Sequence, residues 1–194
     1  MKYIRTAIRM TIVSAVILGI IYPLAMTGIA QVVFPGKANG SLVKKGGQVI
    51  GSSLIGQNFT AAKYFLPRPS AAGTGYDAMD SSFSNLGPTN KNLADRVQTA
   101  VKADIVADPG LTFGQVPIDM VTTSASGLDP DITVANARAQ APRVAAARGL
   151  SVSAVLALIA KHTAGRQLGF LGEPTVNVLQ LNLALDAAQA GTSP

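Results

Sequence analysis

The stretch VTTSASGLDPDI, Val121 to Ile132, sets hydroxyl side chains around one glycine and then two carboxylates around a proline. Three chemistries fit those residue types. Hydroxyls beside a bare glycine backbone can cradle a phosphate. Asp129 and Asp131 can hold a cation. Asp-Pro also favours a turn, and a carboxylate just before a helix satisfies its free N–H groups. The turn-and-cap reading needs no ligand, and Gly127 supplies the permissive backbone such a corner requires. A serine nucleophile at Ser124 or Ser126 would need a positioned base. The single histidine, His162, falls late in a helical pattern, where it reads as a surface residue stabilising the helix dipole. An exported hydrolase is therefore the alternative function, without a visible base.

Other chemistries are absent from the sequence. With no cysteine and one histidine there is no disulfide, no thiolate site and no multi-histidine metal cluster. No GxxxxGK[ST] or GxSxG motif occurs, and no aspartate has the setting of a phosphorylated pump residue. No metal site and no tightly bound cofactor are expected. Arg138, Arg143 and Arg148 recur every five residues, which spreads them around a helix rather than into one patch. No basic stripe exists, so nucleic acid is not an expected partner.

The elements that must position these residues follow from pattern. SLVKKGGQVIGSSLIGQ (41–57) reads as a hairpin around Gly46-Gly47. Residues 66–88 are dense in proline, glycine and serine and read as a loop, either functional or packed against a partner. Thr89 is expected to cap a helix over 90–106 with Leu93, Val97, Val101 and Ile105 on one face. QVPIDMVTTS reads as a short strand leading into the corner. Asp131 or Thr133 caps a helix over 134–147, and Ser151 one over 152–164 stopped by Gly165. EPTVNVLQLNLALD (173–186) carries both a helical and a strand pattern, with helix preferred. No internal repeat is present.

The address comes from the N-terminus. After Arg9 no charge occurs until Lys37, a run long enough to cross a bilayer, which takes about 20 apolar residues. Lys2, Arg5 and Arg9 carry half of the net charge of +6, so the positive-inside rule puts the N-terminus in the cytoplasm and the rest outside. The run exceeds a cleaved signal's apolar core, favouring a retained anchor. Ala15 and Gly19, four apart, let a second helix approach closely. The expected organisation is a basic N-terminus (1–9), a transmembrane helix (10–34), an exported domain (35–186) and a flexible tail (187–194). The fold class is an α/β (α+β) soluble domain attached to one N-terminal transmembrane helix.

Eight pieces in order carry a resemblance. They are YPL in the membrane run, FPGKANGSL (34–42), GSSLIGQNF (51–59), YFLPRPSA (64–71), SNLGPTN (84–90), VPIDMVTTSASGLDPDI (116–132), QAPRVAAARGLS (140–151) and EPTVNVLQLNLALD (173–186). Together they resemble the C subunit of the bacterial Kdp-type potassium-transporting P-type ATPase. The resemblance implies a non-catalytic accessory subunit of a high-affinity, ATP-driven potassium uptake pump in the inner membrane. The implied partners are a pore-forming potassium-conducting subunit, an ATP-hydrolysing P-type subunit and a small fourth subunit. It implies a role in assembly, as a catalytic chaperone or as a cap near the potassium entrance. It further implies nucleotide contact through the complex at Ser81, Ser84, Asn85 and Gln140. Within this frame Ala15, Gly19, Ser124, Ser126, Asp129 and Asp131 are candidate partner contacts, with the hydroxyls of 121–132 exposed toward the pore subunit.

Overall fold

A computed structural model describes residues 2–108 and 110–190. The chain packs as two units, Met1–Ser52 and Ser53–Pro194.

The N-terminal unit begins with a continuous apolar helix, Lys2–Val33, of 32 residues with none of its most apolar window buried. It consists of α1 (Lys2–Val16), a wide π turn (Ile17–Ile21) and α2 (Tyr22–Val33). The π turn has a local cause. Pro23 sits in the first turn of α2, lacks an N–H, and its ring crowds the carbonyl four residues back. Widening the preceding turn lets the Tyr22 N–H bond the Ile17 carbonyl, five residues back, and the helix continues. A short turn, α3 (Pro35–Ala38), leads to the expected hairpin of β1 (Leu42–Lys45) and β2 (Gln48–Ser52). The strands are antiparallel, with Lys45 opposite Gln48. Gly46 and Gly47 both have positive φ, 58° and 83°, the backbone of a two-residue hairpin turn.

The second unit mixes helix and sheet. Its helices are α4 (Lys91–Ala107), α5 (Ile118–Val121), α6 (Val134–Arg148), α7 (Val152–Lys161) and α8 (Val178–Ala190). A small antiparallel sheet has the order β3-β5-β4, from β3 (Asp131–Thr133), β4 (Thr163–Ala164) and β5 (Thr175–Asn177). Ile132 and Val176 pair in register and point inward. There they meet Ala141, Val144 and Ala145 of α6, Val155 and Ile159 of α7, and Leu181 and Leu185 of α8. Asp131, Thr133, Thr175 and Asn177 take the alternate positions, and Asp131 accepts from Thr175 Oγ1 at 3.0 Å and Asn177 Nδ2 at 2.9 Å. A second cluster joins Val97, Val101 and Ile105 of α4 to Met120 and Val121.

Several boundaries differ from expectation. The cap of α4 is Asn90, which accepts from the Asn92 N–H at 2.9 Å, not Thr89. Thr133 caps α6, accepting from the Asn136 N–H, while Asp131 is spent in the sheet. α7 ends at Lys161 with His162 half-buried at its C-cap, because Thr163 already pairs with Val176; Gly165 is not the stop. The strand expected over QVPIDMVTTS is absent. Phe113–Gln115 is a 3₁₀ turn and Ile118–Val121 is helical, with Asp119, Met120 and Val121 all buried. Three consecutive buried residues cannot share one face of a strand, and Pro117, at φ −62° and ψ 143°, sets the helical entry instead. Over 173–186 both patterns are used in turn: three residues of strand, then α8. The tail is helical to Ala190; residues 191–194 lie outside the described ones.

Candidate functional site

The corner that raised the chemical question is a packed turn. Gly127 has φ +69°, and a Cβ there would lie 2.7 Å from the Ala72 amide nitrogen and 2.7 Å from the Ser82 carbonyl oxygen. Glycine is thus required twice, for its backbone angle and for close approach. The loop of 66–88 closes over this glycine. Ser70 Oγ donates to the Gly127 carbonyl at 2.6 Å, and Ser81 Oγ donates to the Ser126 carbonyl at 2.9 Å. Asp129 Oδ2 pairs with Arg68 Nη1 at 2.9 Å, while its Oδ1 accepts from the Asp131 N–H. The turn reading of Asp129 therefore holds. The corner does not offer a row of free hydroxyls: Ser124 is buried, and Ser126 Oγ accepts from the Leu128 N–H. Among the described residues no hydrogen bond links either serine to His162.

A second feature lay outside sequence reasoning. Residues 62–66 have no regular structure, yet their backbone is held by side chains from α6 and α8. Gln140 accepts from the Leu66 N–H at 2.7 Å and donates to the Leu66 carbonyl at 3.0 Å. Asn182 does the same for Phe65, at 2.8 and 3.0 Å. Arg143 Nη1 donates to the carbonyls of Ala62 and Tyr64, and Arg148 Nε to that of Lys63. Each amide side chain supplies one donor and one acceptor, as a neighbouring strand would. Gln140 also accepts from Arg143 and donates to Asn136, Asn136 donates to Asp119, and Arg143 pairs with Asp108 at 2.7 Å. This buried chain, Asp119–Asn136–Gln140–Arg143–Asp108, spans α5, α6 and the end of α4. Of the three arginines only Arg138 is exposed and stands apart, as the spacing implied; Arg143 and Arg148 are buried and, against that expectation, converge on the backbone of residues 62–64.

The four nucleotide candidates do not converge. Ser84 and Asn85 line a cavity of about 450 Å³ together with Phe83, Thr123 and Ser124. Gln140 lines a different one, of about 340 Å³, and its amide is committed on both ends. Ser81 is spent on Ser126. No bare backbone facing a phosphate is built from these residues as they stand. Ala15 and Gly19 sit on the exposed apolar helix, Gly19 with nothing within 4 Å of a Cβ. Among the described residues no group of three metal-ligating side chains occurs.

The titratable groups are shaped by burial. Burial raises the Asp108 carboxyl above its ordinary range, and the Arg143 guanidinium pulls it partly back. Asp104, one turn earlier, is pushed up to about 6, first by burial and then by the Asp108 charge, against the pull of Arg143. The Tyr76 hydroxyl, donating to the Arg68 carbonyl, is pushed upward by burial and by Asp129.

The chain matches the family described as KdpC: K+-transporting ATPase, c chain, over residues 4–187. Proteins named Potassium-transporting ATPase KdpC subunit are similar over essentially their whole length. That of Koribacter versatilis is 53% identical over 193 residues, covering 100% of this chain and 98% of the relative. That of Acidobacterium capsulatum is 59% identical, covering 96% and 98%. That of Mycobacterium tuberculosis is 58% identical, covering 93% and 95%.

Proposed function

The chain belongs to the KdpC family of K+-transporting ATPase c chains, and from that premise we propose that it is a non-catalytic accessory subunit of an ATP-driven potassium uptake pump. Its helix Lys2–Val33 anchors it in the bacterial inner membrane, N-terminus in the cytoplasm, and its second unit works on the outer side. The observation that carries this reading is the pairing of a long uncovered apolar helix with a domain whose polar side chains are spent on structure. A hydrolase would need a nucleophile joined to a base; Ser126 is instead tied to its own loop. Asp129 and Asp131, the carboxylates suited to gathering potassium, are committed to Arg68, Thr175 and Asn177.

The partners in this reading are the pore-forming subunit, the ATP-hydrolysing subunit and the small fourth subunit, and ATP reaches the chain only through the complex. Lys2, Arg5 and Arg9 at one end of the helix favour the proposed orientation. The test is co-expression of the pump's other subunits with and without this chain. The expected result is loss of a stable complex and of potassium uptake at limiting potassium when the chain is left out. A complex that assembles and transports normally without it would overturn the reading.

A further inference from the structure

The wide turn of the anchor helix leaves one backbone carbonyl without a donor. In an α-helix the Leu18 carbonyl takes the N–H of residue 22, and in a π turn that of residue 23. The Tyr22 N–H goes instead to the Ile17 carbonyl, and residue 23 is proline, which has no N–H. Helical serine and threonine hydroxyls can serve a carbonyl three or four residues back, as Thr6 serves Lys2 at 3.1 Å. The positions that would serve Leu18 in this way are Ile21 and Tyr22. Isoleucine has no donor, and a tyrosine hydroxyl stands too far from the helix axis.

Depth makes this carbonyl costly. Leu18 lies nine residues past Arg9, the last charge before the apolar run. That is about 14 Å along the helix, roughly halfway through a hydrocarbon core about 30 Å thick. Lipid tails donate nothing there, and headgroup donors stay at the two edges, so the group must find its donor in protein. The carbonyl can also be approached. Every residue from Ile17 to Tyr22 is exposed. Gly19, next to it, has no side chain, and nothing lies within 4 Å of the place a Cβ would take.

We propose that the Leu18 carbonyl accepts a hydrogen bond from a side-chain O–H or N–H of a second membrane helix, so that the π turn is the docking point of Lys2–Val33 on another pump subunit. This rests on the reading of the chain as a pump subunit. The partner's chemistry follows from the gap. An all-aliphatic helix could pack on Ala15 and Gly19 but would leave the carbonyl unmet. A lysine or arginine would bring a charge to a stretch, 10–36, that holds no acidic residue. The fitting partner helix carries a neutral donor at mid-membrane: serine, threonine, asparagine or glutamine.

The experiment supplies the missing donor from within the chain. A threonine at position 22 can bond the Leu18 carbonyl four residues back, whereas valine has the same shape and no donor. Tyr22 is 58% exposed, so neither change disturbs packing within this chain. Tyr22→Thr and Tyr22→Val are each co-expressed with the pump's other subunits, and the complex is recovered through a tag on this chain over a series of detergent concentrations. Thermal unfolding of the second unit is followed alongside and should not move. The expected result is at least threefold lower recovery of the membrane subunits with Tyr22→Thr than with Tyr22→Val. Pro23→Ala, which returns an N–H to the helix, should lower recovery in the same sense. Equal recovery of the threonine and valine variants would overturn the proposal, as it would if water served the carbonyl. Recovery of Pro23→Ala at the natural level would also overturn it. A natural chain that recovers no pump subunit counts instead against the assembly reading, so the two failures are told apart.

Discussion

Gln140 shows how much one side chain carries here. Its amide pairs both backbone groups of Leu66 and joins Asn136 to Arg143. Gln140→Leu keeps the approximate volume but leaves several buried groups unmet, and should destabilise the domain by on the order of 3 kcal/mol in urea unfolding. Arg143→Met strands the Asp108 carboxylate, with the pair's side chains 8% and 2% exposed, and should cost about 3–5 kcal/mol. Because the two residues share one network, the double variant should lose clearly less than the sum. Acid dependence belongs to this scale too. Asp104 has a native pKa of about 6, above its ordinary value of 3.8. Its ionised form is therefore penalised in the folded state, the folded state binds more protons between those values, and stability rises as pH falls from about 7 toward 4. The melting temperature of Asp104→Asn at pH 7.5 should exceed that of the natural chain, and the difference should shrink by pH 5; a constant difference would contradict the assignment.

At the scale of elements, the corner at 121–132 is held by one glycine and the loop that closes on it. Gly127→Val places a branched side chain at φ +69° against Ala72 and Ser82, so the domain should fail to fold or lose its place in the complex. Gly127→Ala should already lower the unfolding midpoint. Normal co-purification of the valine variant would contradict the packed-corner account. This corner was legible in the sequence because Gly and Asp-Pro carry local turn chemistry. The hairpin turn at Gly46-Gly47, the cap at Ser151 and the apolar face of α4 were legible for the same kind of reason: the signal lies within a few residues. Helix α5 was misread as a strand because its hydrophobic run is too short for period to decide, and because what makes Asp119 helical and buried is distant. Its carboxylate serves the Thr133 N–H and Asn136. The support of residues 62–66 had no local signal at all. Gln140 lies 74 positions from Leu66 and Asn182 lies 117 from Phe65, and neither pairing leaves a period in the sequence.

At the scale of the whole molecule, none of the most apolar window of the helix Lys2–Val33 is buried, and near its end Gln31 exchanges hydrogen bonds with Asn39. Nothing lies within 4 Å of a Cβ placed at Gly19. Gly19→Ile should therefore leave the melting of the second unit unchanged while weakening co-purification with the pump's membrane subunits, if the Ala15–Gly19 face is where another helix packs. Unchanged co-purification would move the contact to another face of the helix or to the second unit.

The most direct test of the account asks on which side of the membrane the second unit lies. The natural chain has no cysteine, and Ala188 is exposed near the end of α8. Ala188→Cys in the assembled pump can be treated with a membrane-impermeant maleimide in intact cells whose outer membrane has been made permeable. The account expects labelling in those cells, which places the domain on the outer side with the pore entrance and away from cytoplasmic ATP. Labelling only after the inner membrane is broken would contradict it, reverse the orientation of Lys2–Val33, and bring direct nucleotide contact to the front.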